Sequence, residues 1–169
     1  MSHIEHKSIA SEKFKNLKIA VITVSDTRNE ENDYSGKFIM KILKENNHEV
    51  VYYKILKDDY YEIKKEILKI STQEIDGIII NGGTGISKRD RTFDAVKSLI
   101  EKEIYGFGEI FRMLSYQEIG SAAIMSRACA GIINGKIIFS IPGSTEAVKL
   151  AMEKLIIPEI SHILFEINR

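Results

Sequence analysis

Short apolar runs rich in β-branched residues recur along the chain, and each one ends in polar or glycine-rich residues. They cover residues 17–25, 48–56, 76–81 and 136–141. The first run, LKIAVITVS, lacks the alternation of polar and apolar residues that marks a strand with one face in water. Strands of a parallel sheet lose that alternation because both of their faces are covered. The sequence therefore predicts a buried, mostly parallel sheet.

Segments with apolar residues at helical spacing separate these runs. They cover residues 33–47, 60–70, 92–100, 107–114, 144–155 and 158–167. Strands that alternate with helices form βαβ units, which place helices on both faces of the sheet. We find no internal repeat and no linker, so we predict one α/β domain over residues 17–169. A loose, flexible arm is predicted over residues 1–16.

Composition and charge exclude several classes of protein. Lys plus Arg and Asp plus Glu both number 24, and this zero net charge disfavours nucleic-acid binding. The single cysteine, Cys129, cannot form a disulfide within the chain, and its alanine neighbours indicate a buried thiol. No apolar run approaches the roughly 20 residues of a membrane span, and no signal-peptide core is present. We expect a cytoplasmic protein that contacts no membrane.

Polar loops follow the carboxyl ends of the predicted strands. They are residues 25–28, 81–90 and 142–144. Because parallel α/β sheets bind ligands beyond the carboxyl ends of their strands, we expect these loops to converge on one crevice.

The loop NGGTG at residues 81–85 carries three glycines in four positions. Glycines let backbone N–H groups approach an anion closely, and such groups of amides bind phosphates. A tight turn between a strand and a helix would use the same residues. The loop matches neither GxxxxGK(S/T) nor GxGxxG, so the mechanisms of those two motifs do not apply.

Carboxylates follow two of the predicted strands. Asp58 and Asp59 come after the second strand, and Asp90 comes after the glycine loop. Two carboxylates beside a polyphosphate recruit a hard divalent cation, so Asp90 and Asp58 are the candidate ligands of Mg²⁺. Helix capping is the alternative: Asp59 suits the helix that starts near Tyr60, and Asp90 or Thr92 would cap the next helix. Asp58 is then the freer of the adjacent pair.

Two further features indicate anion binding. Lys88 and Arg89 lie just after the glycine loop, where a cation would neutralise phosphate oxygens. Residues 33–37 open a helix whose amides, together with Ser35, can hold an anion at the positive end of the helix dipole. Ordinary capping by Asp33 or Ser35 explains that segment equally well.

The order of these segments resembles the MoaB/MogA family of molybdenum-cofactor biosynthesis. The matching segments are TVSD at 23–26, DYSG at 33–36, NGGTG with RD within 81–90, GFGE at 106–109, SR at 126–127 and PGS at 142–144. The resemblance runs from about residue 17 to residue 158. It implies the molybdopterin-binding domain fold, a three-layer α/β/α sandwich with a mostly parallel sheet.

The resemblance also implies transfer of AMP from ATP to the terminal phosphate of molybdopterin, with Mg²⁺ and release of pyrophosphate. The two functional aspartates of the family correspond to Asp90 and, most simply, to Asp58. Its phosphate and pterin contacts correspond to Ser25, Asp26, Gly82, Gly83, Thr84, Gly85, Ser115, Ser126, Arg127, Pro142 and Gly143. Ser35 at the start of a predicted helix, and Arg89 and Ser144 in the loops after predicted strands, are further candidates for binding the phosphates.

The chain departs from the family pattern at Phe93, where many relatives have proline, and at residues 144–145, where many have a PGxP loop. The altered Phe93 keeps a rival function open: a molybdopterin-binding carrier or assembly protein without efficient adenylylation. The intact Asp58 and Asp90 favour the enzyme. The protein that inserts molybdenum is the partner such a pathway implies.

Two apolar surfaces bear on assembly. One is the helix at residues 107–114 with Tyr105 and Tyr116, and the other is the C-terminal stretch at residues 160–167. One sheet of this size buries both with difficulty, and an apolar surface left over usually marks an interface. The resemblance implies trimers, paired in this branch into hexamers. The alternative is that both surfaces are core.

Overall fold

The computed structural model of the protein describes residues 3–169 and is built around one six-stranded sheet. Its strands are β1 (Lys18–Val24), β2 (Glu49–Leu56), β3 (Gly77–Asn81), β4 (Lys102–Glu103), β5 (Cys129–Ile133) and β6 (Lys136–Ile141). Their order across the sheet is β2-β1-β3-β6-β5-β4. The first four in that order are parallel, and the pairs β6–β5 and β5–β4 are antiparallel.

Helices cover both faces of this sheet. They are α1 (His3–Lys13), α2 (Tyr34–Glu45), α3 (Tyr60–Ser71), α4 (Thr92–Leu99), α5 (Tyr105–Ile119), α6 (Thr145–Ala151) and α7 (Ile157–Ile167). One face packs against α2, α5, α6 and α7, and the other packs against α3 and α4. The predicted three-layer α/β/α sandwich with a mostly parallel sheet is confirmed. No helix within residues 3–169 is long and apolar enough to cross a membrane.

The strand β1 shows why its sequence lacks alternation. Ile19 and Val21 face the core on the side of α2, while Ala20 and Ile22 face the core on the side of α3. All four side chains are fully buried. A strand in the middle of a covered sheet needs apolar residues at every position, which is the pattern in the sequence.

The antiparallel edge of the sheet was not predicted. Strand β5 is short and contains Ala130 and Gly131, and β4 has two residues, so neither gives a strand-like pattern. The dipeptide Asn134-Gly135, which is typical of a hairpin turn, joins β5 to β6. Both residues have positive φ, 48° and 71°, as a type I′ hairpin turn requires.

The two predicted C-terminal helices form one continuous helical stretch. A single π-helical segment, Met152–Ile156, connects α6 to α7. Pro158 lies in the first turn of α7. Because proline has no N–H and its ring clashes with the carbonyl of the preceding turn, the helix widens just before it rather than breaking.

The N-terminal residues differ from the predicted loose arm. Residues 3–13 form α1, which packs against α7 with Ala10 fully buried. Lys7 forms an ion pair with Glu159, and the Ser161 hydroxyl donates to the carbonyl of Phe14 at 2.9 Å. These contacts are mostly polar, so α1 shows little of the apolar periodicity from which a helix is predicted. Residues 1 and 2 of the arm lie outside the described residues.

Two aspartates cap helices as the sequence indicated. The carboxylate of Asp33 accepts the Gly36 N–H at 3.0 Å at the start of α2. The carboxylate of Asp59 accepts the N–H groups of Tyr61 and Glu62, at 3.0 and 2.9 Å, at the start of α3. Each cap satisfies N–H groups that have no partner within the helix.

Replacing Asp59 by alanine removes the cap of α3 and leaves the strand ends untouched. We expect the free energy of unfolding to fall by about 1 kcal/mol, which is typical for the loss of an N-cap side chain. Urea denaturation measures this change, and Lys57→Ala, an exposed neighbour in the same loop, is the control that should leave the midpoint in place. An equal midpoint for Asp59→Ala and the control would contradict the capping role.

Candidate functional site

The carboxyl ends of β1, β2, β3 and β6 lie side by side, because these four strands are parallel neighbours. Backbone hydrogen bonds continue past the strands: the Ser25 N–H donates to the Leu56 carbonyl at 2.8 Å, and the Gly82 N–H donates to the Ile141 carbonyl at 2.9 Å. The loops after the four strands therefore form one continuous edge. This edge, residues 25–28, 57–58, 82–91 and 142–143, is called the strand-end site below.

Asp58 faces the glycine loop, whereas its neighbour Asp59 caps a helix. The Asp58 carboxylate accepts the backbone N–H of Arg91 at 2.9 Å. Burial raises the pKa of Asp58, and the nearby negative charges of Asp90 and Asp26 raise it further, against a lowering by the Arg91 N–H. The pKa shift marks Asp58 as a carboxylate whose ionised form is costly where it lies. Carboxylates at catalytic and ligand-binding sites often have a raised pKa.

Asp90 does not cap the helix that follows it. Its carboxylate accepts the Ser87 N–H at 2.8 Å within the loop. Helix α4 is preceded by Arg91, which makes no side-chain cap hydrogen bond. The alternative in which Asp90 or Thr92 acts as the cap was therefore wrong, because the chain turns tightly at residues 87–90 before the helix starts. Asp90 belongs to the loop rather than to the helix.

Both carboxylates lie against glycines of the loop. A Cβ added to Gly83 would come within 2.7 Å of an Asp58 carboxylate oxygen, and one added to Gly85 would come within 2.7 Å of an Asp90 oxygen. Gly83 also has φ of 67°, a conformation that favours glycine. The glycines thus give the loop its shape and leave room for the two carboxylates.

Backbone packs directly on backbone where the loops after β3 and β6 meet. A Cβ on Gly82 would lie 2.2 Å from the Val24 carbonyl oxygen, and one on Gly143 would lie 3.1 Å from the Gly82 Cα. Pro142 precedes this contact at the end of β6. Side chains are excluded here, so the strand ends can approach each other more closely than larger residues would allow.

Asp26 and Arg89 form an ion pair across the open side of the site. The guanidinium Nε of Arg89 lies 3.2 Å from an Asp26 oxygen. The Arg89 hydrogen bond lowers the pKa of Asp26, with a further lowering from the Asp58 N–H. Arg89 is largely exposed, and exposed pairs contribute little to stability. The pair is therefore one that an anionic ligand can displace. In the same loop, the Ser25 hydroxyl accepts the backbone N–H groups of residues 27 and 28.

Arg127 holds the glycine loop in place. Its guanidinium donates to the carbonyls of Gly85 and Asp90, at 2.8 and 2.9 Å, and pairs with Asp94 at 3.2 Å. The guanidinium also lies 4.8 Å from the centre of the Phe93 ring, a cation–π contact. Its backbone N–H donates to the Thr84 carbonyl at 2.9 Å. Arg127 thus joins the glycine loop to the first turn of α4.

Phe93 and Asp94 were not expected to take part in the site. Both contact Arg127, and so both support the glycine loop indirectly. The ring of Phe93 gives the Arg127 guanidinium an apolar surface to pack against. The spacing of Asp94 from Asp90 was visible in the sequence, but the partner of Asp94 lies 33 residues further along the chain.

Ser35 joins α2 to the loop after β6. Its hydroxyl donates to the Gly143 carbonyl at 2.7 Å, and Arg28 donates to the same oxygen at 2.9 Å. Arg28 also lies 3.7 Å from the buried carboxylate of Asp33. Arg28 was not among the predicted residues, although its loop was. Arg28 thus links the buried Asp33 to the loop after β6. Its two partners are distant in the sequence, so only the structure shows this contact.

The remaining predicted serines lie outside this network. The Ser144 hydroxyl caps α6 by accepting the Ala147 N–H at 3.3 Å, and the Ser126 hydroxyl accepts the Ala128 N–H at 3.4 Å. Ser115 lies on the buried face of α5. Within residues 3–169, none of these three hydroxyls is hydrogen-bonded to the strand-end loops. Burial raises the pKa of Cys129 to about 11, which suits the buried thiol that was predicted.

Comparison with known proteins agrees with this architecture. The family described as "Probable molybdopterin binding domain" matches residues 20–162. Molybdenum cofactor biosynthesis protein B of Bacillus cereus is 50% identical over 171 residues, which covers 100% of this chain and 99% of the relative.

Two solved structures are also similar. A crystal structure of molybdenum cofactor biosynthesis protein B has 52% identity and a TM-score of 0.89, covering 92% of this chain and 98% of the other. The tungsten cofactor synthesizing protein MoaB from Pyrococcus furiosus has 42% identity and a TM-score of 0.85, covering 92% and 99%.

The fold and the strand-end site define a protein of the molybdopterin-binding domain class. Within that class, the chain belongs to the MoaB/MogA-like family of molybdenum cofactor biosynthesis proteins. The family predicted from the order of the sequence motifs is confirmed.

Gly83→Ala tests the shape of the loop. The new Cβ would lie 2.2 Å from the Thr92 hydroxyl oxygen and within 2.7 Å of Asp58, at a φ that alanine rarely adopts. We expect the free energy of unfolding to fall by about 1–3 kcal/mol, measured by urea denaturation. Gly106→Ala, where a Cβ meets open space, is the matched control and should not destabilise. A Gly83→Ala variant as stable as this control would show that the loop does not need a glycine.

Proposed function

We propose that the chain binds molybdopterin and ATP at the strand-end site and transfers AMP from ATP to the terminal phosphate of molybdopterin, releasing pyrophosphate. One observation carries this proposal: Asp58 and Asp90 both lie against the glycine loop at the ends of the parallel strands. That arrangement offers backbone amides for phosphate groups next to carboxylates for a hard cation. A reaction between two phosphate groups requires both, because the amides hold the phosphates and the cation reduces their mutual repulsion.

The residues present fit Mg²⁺. Burial and the charges of Asp90 and Asp26 make the ionised form of Asp58 costly, and a divalent cation would offset that repulsion. Carboxylate oxygens are the protein ligands that Mg²⁺ prefers, and it keeps water and substrate phosphates as its other ligands. Asp58 and Asp90 would hold the ion. Mg²⁺, when bound, supplies positive charge to the phosphate oxygens.

Repulsion between two anions is the main barrier that the site has to overcome. The loop amides and the guanidinium of Arg89 reduce this repulsion, and the rigid loop holds the reactants in line. A terminal phosphate oxygen of molybdopterin forms a bond to the α-phosphorus of ATP. The bond from that phosphorus to the bridging oxygen breaks, and pyrophosphate leaves with both electrons. Arg127 keeps the loop in position throughout by holding the carbonyls of Gly85 and Asp90.

This route needs no nucleophile from the protein. Cys129, the single thiol, is buried and has a raised pKa, so little thiolate forms at neutral pH. The structure of the site therefore suits direct transfer between two bound substrates.

Asp90→Asn tests the proposed reaction. We expect AMP transfer to fall by at least about a hundredfold, because a charge that orients the cation and phosphates is lost. Molybdopterin binding, followed by the fluorescence of the pterin, should remain. Adenylylated pterin is measured by chromatography with mass spectrometry after incubation with ATP and Mg²⁺. Asp58→Asn should behave in the same way, and Asp59→Asn is the control that keeps its activity.

The outcomes separate the two candidate functions. Near-normal turnover by Asp90→Asn would remove this residue from the reaction. A wild-type chain that binds molybdopterin but forms no adenylylated product would overturn the enzyme and leave the carrier or assembly role.

We also propose that the chain is a homo-oligomer with threefold symmetry. Of the two apolar surfaces in the sequence, the C-terminal one is largely accounted for: Ile160 and Leu164 enter the core, and α1 packs against α7. The outer face of α5 is not covered in the same way. Exposed apolar side chains on α5 and on the 3₁₀ helix that follows it, Gly120–Met125, are Tyr105, Ile110, Met113, Tyr116, Ile119, Ile124 and Met125. A patch of this kind usually marks a protein interface.

Light scattering after size-exclusion chromatography tests the assembly. At micromolar concentration we expect three or six times the chain mass of 19.2 kDa. Met113→Glu places a charge on the apolar patch and should dissociate the oligomer, since an unpaired buried charge is costly. Leu68→Glu, on the exposed face of α3, is the matched control and should leave the mass unchanged. A monomeric wild type would contradict the oligomer, and a dimer would contradict the threefold symmetry.

A further inference from the structure

A second group of ligating side chains lies where α1 packs against α7. His6, His162 and Glu166 each present one ligand atom there, and the three atoms lie within 4.8 Å of one another. The Nδ1 of His6 is 3.2 Å from a Glu166 oxygen, and the Nε2 of His162 is 3.9 Å from the same oxygen. In the part of the chain that the structure describes, this is the one group of three such side chains.

A neighbouring carboxylate orients one of the two histidines. The Nδ1 of His162 lies 3.1 Å from an oxygen of Glu159, and Glu159 is itself paired with Lys7. A carboxylate that accepts the N–H of one ring nitrogen holds the imidazole in one orientation. Metal-binding histidines usually show this arrangement, which fixes the ring and makes it a better ligand. Here the second nitrogen of His162 faces Glu166.

We propose that His6, His162 and Glu166 bind a zinc-type divalent ion, which clasps α1 onto α7. Two imidazoles and one carboxylate suit Zn²⁺, whereas Mg²⁺ prefers oxygen ligands alone. His162 and Glu166 are four residues apart on one helix, so they share a face. Tetrahedral Zn²⁺ with bonds of about 2.0–2.1 Å needs ligand atoms roughly 3.3 Å apart. The present separations of 3.2 Å and 3.9 Å, within a limit of 4.8 Å, require only small side-chain rotations.

The surroundings suit a partly enclosed site with room for a fourth ligand. Both imidazoles are mostly covered, with 20% and 18% of each side chain exposed. The His6 ring packs edge-on against Phe165, which restricts its motion. A cavity of about 590 Å³ borders His162 and Glu166, so water can complete the coordination. Arg169 pairs with Glu166 at 3.3 Å but is well exposed, and such a pair competes weakly with a metal ion.

Zinc titration of the full chain without a purification tag tests the site. Isothermal calorimetry in excess Mg²⁺, which occupies carboxylate sites, should show one Zn²⁺ bound per chain. His6→Ala and His162→Ala should each weaken binding at least tenfold. Co²⁺ in place of Zn²⁺ should give the visible absorption of a tetrahedral nitrogen–oxygen site in the wild type and not in these variants. Zn²⁺ should also raise the Tm of the wild type alone, because the ion binds only the folded site.

Two further variants sharpen the result. Glu159→Gln removes the carboxylate that orients His162 and should weaken Zn²⁺ binding by about 10–100-fold, as outer contacts of metal sites do. Glu12→Gln removes an exposed carboxylate from the same helix α1 and should bind like the wild type. Because His6 lies on a peripheral helix, circular dichroism should show that its variant is folded. Absence of Zn²⁺ binding by the wild type, or equal affinity of His6→Ala and the wild type, would overturn the clasp.

Discussion

The close contact of backbone with backbone at the carboxyl edge of the sheet is the constraint on which the site depends. Gly82 lies so near the Val24 carbonyl that no side chain fits between them, and Gly143 lies against Gly82 in turn. This contact holds the loops after β1, β3 and β6 at one edge. The carboxylates, the amides and the arginines of the site all take their positions from it.

The same edge concentrates negative charge at a cost to stability. The pKa of Asp58 is raised in the fold, so the folded chain favours the protonated carboxyl more than the unfolded chain does. The resulting loss of stability is absent below the ordinary pKa of aspartate and develops as the pH rises through the raised value. At neutral pH the ionised Asp58 therefore destabilises the protein. Sites that hold a cation or an anionic substrate commonly lower the stability of the free protein, and ligand binding then restores it.

The sequence predicted those features that depend on neighbouring residues. The apolar run of β1, the caps Asp33 and Asp59, and the Asn134–Gly135 turn are all local patterns. Parallel α/β sheets bind ligands beyond the carboxyl ends of their strands. This generalisation needs only the direction of the strands, and from it the sequence predicted that Asp58 and the glycine loop lie close together. The parts that were missed depend on tertiary contacts. Helix α1 is held by α7, and β5 pairs with β6 despite its small residues.

Arg127 shows the limit of motif-based assignment most clearly. The resemblance gave it a ligand contact, but its guanidinium is engaged by carbonyls of the glycine loop, by Asp94 and by Phe93. A motif records that an arginine is needed, and it does not record which group the arginine contacts. Ser144 is similar, since it lies in the predicted loop and yet caps α6.

The position of β6 has a consequence for the growing chain. In the finished sheet β6 lies between β3 and β5, although it follows β3 by more than 50 residues in the sequence. Until residues 136–141 have been synthesised, β1, β2 and β3 can pair, but the outer edge of β3 has no neighbour. That edge is GIIIN, a segment of three consecutive isoleucines with unpaired N–H and C=O groups. Open edges of this kind attract strands from other molecules. During synthesis this apolar strand edge therefore stays uncovered until a strand more than 50 residues further along the chain pairs with it.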